Sequence, residues 1–156
     1  MDKNPLRPST RWLLAALVVF IGGCTNDTPR DAAQCMPRFE AGWIRLGPAA
    51  MQMMGGFGRI ENECAEDAAV VAASSAQFAD VSLHRTMEED GISRMRPVDR
   101  LELDSGTTVV LEPGGLHLML MQPRAPLPEG SRVSVTLKLE DGRELPAELV
   151  VSATAP

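Results

Sequence analysis

The chain has 156 residues, a formal net charge of −6, 4% aromatic residues and no tyrosine. That length suits one domain with a real core. The acidic balance makes nucleic acid an improbable partner, because binding to phosphates needs a basic surface.

The first residues do not read as part of the fold. Lys3, Arg7 and Arg11 form a basic region, and "WLLAALVVFI" from Trp12 to Ile21 is an apolar run of ten. Such a run is too short to span a bilayer as a helix but fits the core of a signal peptide. It ends in "IGGC", which resembles a bacterial lipobox and implies cleavage before Cys24 with lipid on its thiol. An ordinary signal peptide with an incidental cysteine is the alternative. Thr25, where an aspartate would resemble an inner-membrane retention signal, favours the outer membrane. Residues 1–23 thus read as a lipoprotein signal peptide, 24–35 as a lipidated N-terminus and tether, and 36–156 as the domain. Loss of Asp2, Lys3, Arg7 and Arg11 leaves 12 basic and 20 acidic residues, a net charge near −8. That charge favours solubility and draws cations.

Cys35 and Cys64 remain. In an oxidising compartment a disulfide is their default state, and it would tie the start of the domain to its second strand. A thiolate ligand pair or a redox couple is the alternative. The spacing is not C-x-x-C and no histidine lies nearby.

From Met36 onward the chain reads as all-β. "FEAGWIRL" (39–46), "GGFGRIEN" (55–62) and the alanine-rich "AAVVAASS" (68–75) are the first strand candidates. "ADVSLHRTM" (79–87) and "ISRMRPV" (92–98) flank "EEDG", a hairpin signal. "TTVVLE" (107–112) and "LHLMLMQ" (116–122) flank "PGG", a second tight turn. "RVSVTLKLE" (132–140) alternates as a half-buried strand should, and "DGR" turns it into "ELPAELVVS" (144–152). Short strands with turns at close spacing predict a β-sandwich or Greek-key barrel.

The chemistry is sparse. His84 and His117 are the only histidines, and no Ser-His-Asp arrangement suggests itself. The glycines sit in turns rather than in a phosphate-cradling loop, and Glu88, Glu89 and Asp90 read as a solvated hairpin tip. The chain therefore offers little for hydrolytic or phosphoryl-transfer chemistry. His117, Met119 and Met121 share one face of their strand by the period of two, with Leu116, Leu118 and Leu120 on the other. Across "EEDG", a Glu89-Asp90 loop would set His84 opposite Met95, whereas an Asp90-Gly91 loop would set them diagonally on one face. Two imidazoles and two thioethers would meet if the two hairpins are neighbours. Thioether sulfur is soft and uncharged and favours Cu(I) over Zn²⁺, Mg²⁺ or Ca²⁺. Methionine on a strand is more often core filler.

His84, Met95, His117 and Met119 form an H-x10-M-x21-H-x-M pattern. With "VSLHRTMEEDGISRMRPV" and "LEPGGLHLMLMQPRAPLPEGSRVSVTLKLEDG", it resembles the copper-binding motif of the periplasmic PCu(A)C copper-chaperone family. The likeness runs over residues 38–152 and is strongest from 79 to 142. It implies a cupredoxin-like β-sandwich that binds one Cu(I) through His84, Met95, His117 and Met119. It also implies delivery of copper toward the binuclear copper centre of cytochrome c oxidase, through an oxidase assembly factor or an oxidase subunit. Alternatives are an envelope copper buffer for tolerance and a metal-free structural lipoprotein. Blue-copper electron transfer would need a cysteine ligand beside two histidines. Met121 and Met87 could back up the main site. Met51, Met53 and Met54 form an extra cluster, either core packing or an auxiliary soft-metal site.

Overall fold

The computed structural model describes residues 35–47 and 52–155. The expected signal peptide, the expected lipid site at Cys24, the expected tether up to residue 34 and Met51 lie outside the described residues. The described residues form ten strands: β1 (Arg38–Arg45), β2 (Met53–Asn62), β3 (Ala68–Ser74), β4 (Phe78–Glu89), β5 (Ile92–Pro97), β6 (Leu101–Leu103), β7 (Thr107–Leu111), β8 (Leu116–Pro123), β9 (Arg132–Leu139) and β10 (Glu144–Ser152). No helix occurs among the described residues. Each strand expected from the sequence is present with its ends shifted by two residues at most. β6 is the addition, a three-residue strand too short to show a period.

The strands β4-β8-β2-β1-β10-β9-β3 run side by side, and β3 returns to β4 through Ala73 and Val81. The sheet therefore closes into a seven-stranded barrel, which removes most exposed edges. β5, β6 and β7 extend it outward from β4, β3 and β2. β1 and β10 pair in parallel, and the remaining pairings are antiparallel.

The pattern of β9 and β10 explains the barrel interior. Val133, Val135, Leu137 and Leu139 alternate with exposed or half-buried Arg132, Ser134, Thr136 and Lys138. Leu145, Ala147, Leu149 and Val151 do the same on β10. They meet Ile44, Ile60, Val70, Leu83 and Leu118 in one apolar core, the dominant favourable term in folding. Gly42 lets β1 lie close to β10, because a Cβ there would sit 2.2 Å from the Glu148 carbonyl oxygen.

One end of the barrel is fastened by covalent and polar links. Cys35 and Cys64 form a disulfide with a Cα separation of 5.7 Å. Beside it the buried Asn62 donates to the carbonyls of Leu103 (2.7 Å) and Glu66 (2.9 Å) and accepts from the Cys64 amide (3.2 Å). These links lie at the C-terminal end of β2. The candidate site lies at its N-terminal end.

Candidate metal centre

The β4–β5 hairpin turns on Asp90 and Gly91, whose φ angles are 54° and 72°. Two successive positive φ values define the two-residue turn that suits the twist of a hairpin. This register pairs Thr86 with Met95 and His84 with Pro97. Of the two loops the sequence left open, the structure adopts the diagonal one, with Met95 and His84 on the same face.

The other flank of β4 pairs with β8. His84 lies opposite His117, and Ser82 opposite Met119. The two hairpins are thus neighbours, and His84, Met95, His117 and Met119 occupy one outward face of the β5-β4-β8 ribbon. The imidazole centroids are 6.2 Å apart. Leu116, Leu118 and Leu120 point into the core, as the alternation predicts. Met95, His117 and Met119 border an open hollow of about 360 Å³, with Thr86, Met53 and Phe57 around them.

Each imidazole has one nitrogen engaged and one available. His117 Nδ1 lies 3.0 Å from the Gly115 carbonyl oxygen. A carbonyl can only accept, so Nδ1 carries the proton and Nε2 keeps its lone pair. His84 Nε2 lies 3.2 Å from Ser82 Oγ. His84 Nδ1 is buried with no hydrogen-bond partner among the described residues, an arrangement that costs free energy unless something else satisfies the atom. If Nε2–H donates to Ser82, Nδ1 presents a bare lone pair. One nitrogen held by the protein and the other free is the usual state of a metal-binding histidine. Burial, and secondarily the neighbouring His117, pushes the His84 pKa below the ordinary imidazole value, while Asp80 opposes the shift. That direction favours the neutral imidazole, the form that ligation requires.

The walls of the hollow are apolar. Phe57 stands 6.3 Å from His117 and 4.6 Å from Trp43, centroid to centroid. The Arg45 guanidinium caps both aromatic rings at 5.6–5.7 Å. A β-bulge between Glu40 and Trp43, with Ala41 at a φ of 51°, sets Trp43 opposite Phe57. Nothing in the spacing of Trp43, Arg45 or Phe57 singles them out in the sequence, because they reach the site only through the β1–β2–β8 register.

The remaining methionines separate. Met87 pairs with Arg94 and lies on the opposite face of the hairpin from His84 and Met95, so it does not back up the group; its odd offset from His84 carries that information. Met54 is buried opposite Leu120 and belongs to the core. Met53, one residue earlier, faces outward, lies opposite Met121 and is 43% exposed. Met53 and Met54 are thus not one cluster. Met121 continues the Met119 face, opposite Asp80 on β4.

Among the described residues no three His, Cys, Asp or Glu side chains converge. The group is a two-imidazole, thioether-rich site, suited to a soft cation and poorly suited to Ca²⁺ or Mg²⁺.

The fold is shared with solved PCuAC domains. The copper-bound PCuAC domain from PmoF2 superposes with a TM-score of 0.63 at 21% identity, over 76% of this chain and 93% of that one. The CuI-DR1885 solution structure from Deinococcus radiodurans gives 0.61 at 24% identity, over 81% and 86%. The protein is thus a closed β-barrel of the PCuAC type. Residues 38–151 match the model of the family "Putative lipoprotein LpqE-like". The chain is also 31% identical to the "Putative lipoprotein Lxx21020" of Leifsonia xyli subsp. xyli, over 88% of this chain and 86% of that protein. The chain belongs to the LpqE-like lipoprotein family.

Proposed function

We propose that this protein is an envelope Cu(I) chaperone, with His84, Met95, His117 and Met119 as the ligands of a single Cu(I). The observation that carries this reading is their register: His84 opposite His117, and Met95 and Met119 each one diagonal away on the same face. Met95 is 49% exposed, so one ligand can be exchanged for a partner's while the others still hold the metal. The copper named in the titles of the PmoF2 and DR1885 structures agrees with this reading.

The lipobox at Cys24 and the family description support a lipid anchor on a periplasm-facing protein, at the outer membrane by the residue after the cysteine. The acceptor in this reading is the binuclear copper centre of cytochrome c oxidase, reached directly or through an assembly factor. The protein binds and hands over copper and catalyses no reaction.

A competitive Cu(I) titration against a chromogenic chelator tests the site. Wild type should bind one equivalent tightly, and His117→Ala and Met119→Ala should each weaken it at least about tenfold. Unchanged affinity in both variants would refute the ligand assignment. Deletion of the gene tests the acceptor, and should lower oxidase activity in a way that added copper restores. Copper sensitivity with normal oxidase activity would instead indicate a buffer.

A further inference from the structure

We infer that the row Asp80–Met121–Met53 forms a second, weaker Cu(I) position that adjoins the first and shares Met119 with it. The inference rests on the Cu(I) reading of the main site and extends it.

Met121 lies between Asp80 on β4 and Met53 on β2, and the next row along β8 is Ser82–Met119–Gly55. Rows on one sheet face are two residues apart, about 6.6–6.8 Å along the strand. The Gln122 amide donates to the Gln52 carbonyl at 2.6 Å. That bond makes Met53 and Met121 a non-hydrogen-bonded pair, the class with Cα atoms about 4.5 Å apart and side chains closest. Two thioethers are thus brought together by the backbone register alone.

Three further features favour a ligand over packing. Met53 is 43% exposed, whereas its neighbour Met54 already supplies the core contact on this strand. Gly55 sits between Met53 and Phe57 on the outward face, so no β2 side chain stands between Met53 and Met119, and a Cβ there would meet the Phe57 ring at 2.9 Å. Asp80 places an anionic group beside the pair. Its oxygen is too hard to be a preferred Cu(I) ligand, but its charge draws a cation. A position with thioethers and no imidazole holds Cu(I) less firmly than the histidine site. Metal would pass between the positions by exchange of ligands through Met119, with no change of oxidation state.

The test is a titration of the full-length chain, labelled with ¹³C at the methionine methyls, with Cu(I) alone under exclusion of oxygen. The first equivalent should shift Met95 and Met119, and the second should shift Met53 and Met121 with a further change at Met119. Met53→Leu, which keeps apolar volume, should weaken the second equivalent at least about tenfold and leave the first intact. Static Met53 and Met121 methyls through two equivalents, with Met95 and Met119 saturating normally, would overturn this inference and leave the main site standing. Response of Met53 and Met121 without Met95 would uphold a thioether site here and overturn the main assignment instead.

Discussion

His84 and His117 face each other across β4 and β8, with ring centroids 6.2 Å apart. Each is oriented by a residue two positions before it in the chain, His84 by Ser82 on β4 and His117 by the Gly115 carbonyl just before β8. The pair leaves His84 Nδ1 buried and, among the described residues, without a hydrogen-bond partner. Satisfying that atom adds to Cu(I) affinity, and binding stabilises the folded chain by an amount set by that affinity and the free Cu(I) concentration. The thermal midpoint should rise on adding one equivalent of Cu(I), and should rise less in His84→Ala.

Met95 separates a ligand from a packing residue. It is half exposed on the outermost strand, so Met95→Ala should change stability by under about 0.5 kcal/mol. Its Cu(I) affinity should nevertheless fall at least about tenfold, roughly 1.4 kcal/mol. Parallel denaturant and copper titrations check this; equal small effects on both would remove Met95 from the ligand set.

The depressed His84 pKa makes metal-free stability depend on pH. The unfolded chain takes up its proton near the ordinary imidazole value, about 6.5, whereas the folded chain resists because His84 is partly desolvated and lies beside His117. Stability from this group is complete above that value and is lost as pH falls through the lowered folded pKa. The urea midpoint of the metal-free protein should drop between pH 7.5 and pH 5, and His84→Gln should flatten that drop. An equal drop in the variant would assign it to other groups.

The disulfide lies at the opposite end of β2 from the site and spans 29 residues. In the chain-entropy picture its closure contributes about 3–4 kcal/mol. A Cys35→Ser, Cys64→Ser double variant should lose stability on that order and keep its Cu(I) affinity. Loss of copper binding from a still-folded variant would reopen the thiolate alternative.

Much of the architecture was legible in the alternation of apolar and polar residues, because strand faces repeat every two positions whatever the tertiary context. Closure was not: the ring is completed at Ala73 and Val81, two unremarkable small residues. The hairpin register was open between two loops, and the positive φ values at Asp90 and Gly91 resolve it. His117 and Met119 followed from the period alone, whereas their meeting with His84 and Met95 was implied only by the resemblance. Period two also placed Met87 on the far face and parted Met53 from Met54, and grouping those methionines by proximity in sequence obscured it. Trp43, Arg45 and Phe57 depend on a bulge and a cross-strand register that no local pattern encodes.

X-ray absorption at the copper edge, on protein loaded with one equivalent of Cu(I), tests the central assignment most directly. Ligation by His84, Met95, His117 and Met119 predicts a first shell of about two nitrogen and two sulfur scatterers. A shell of nitrogen and oxygen without sulfur would contradict it.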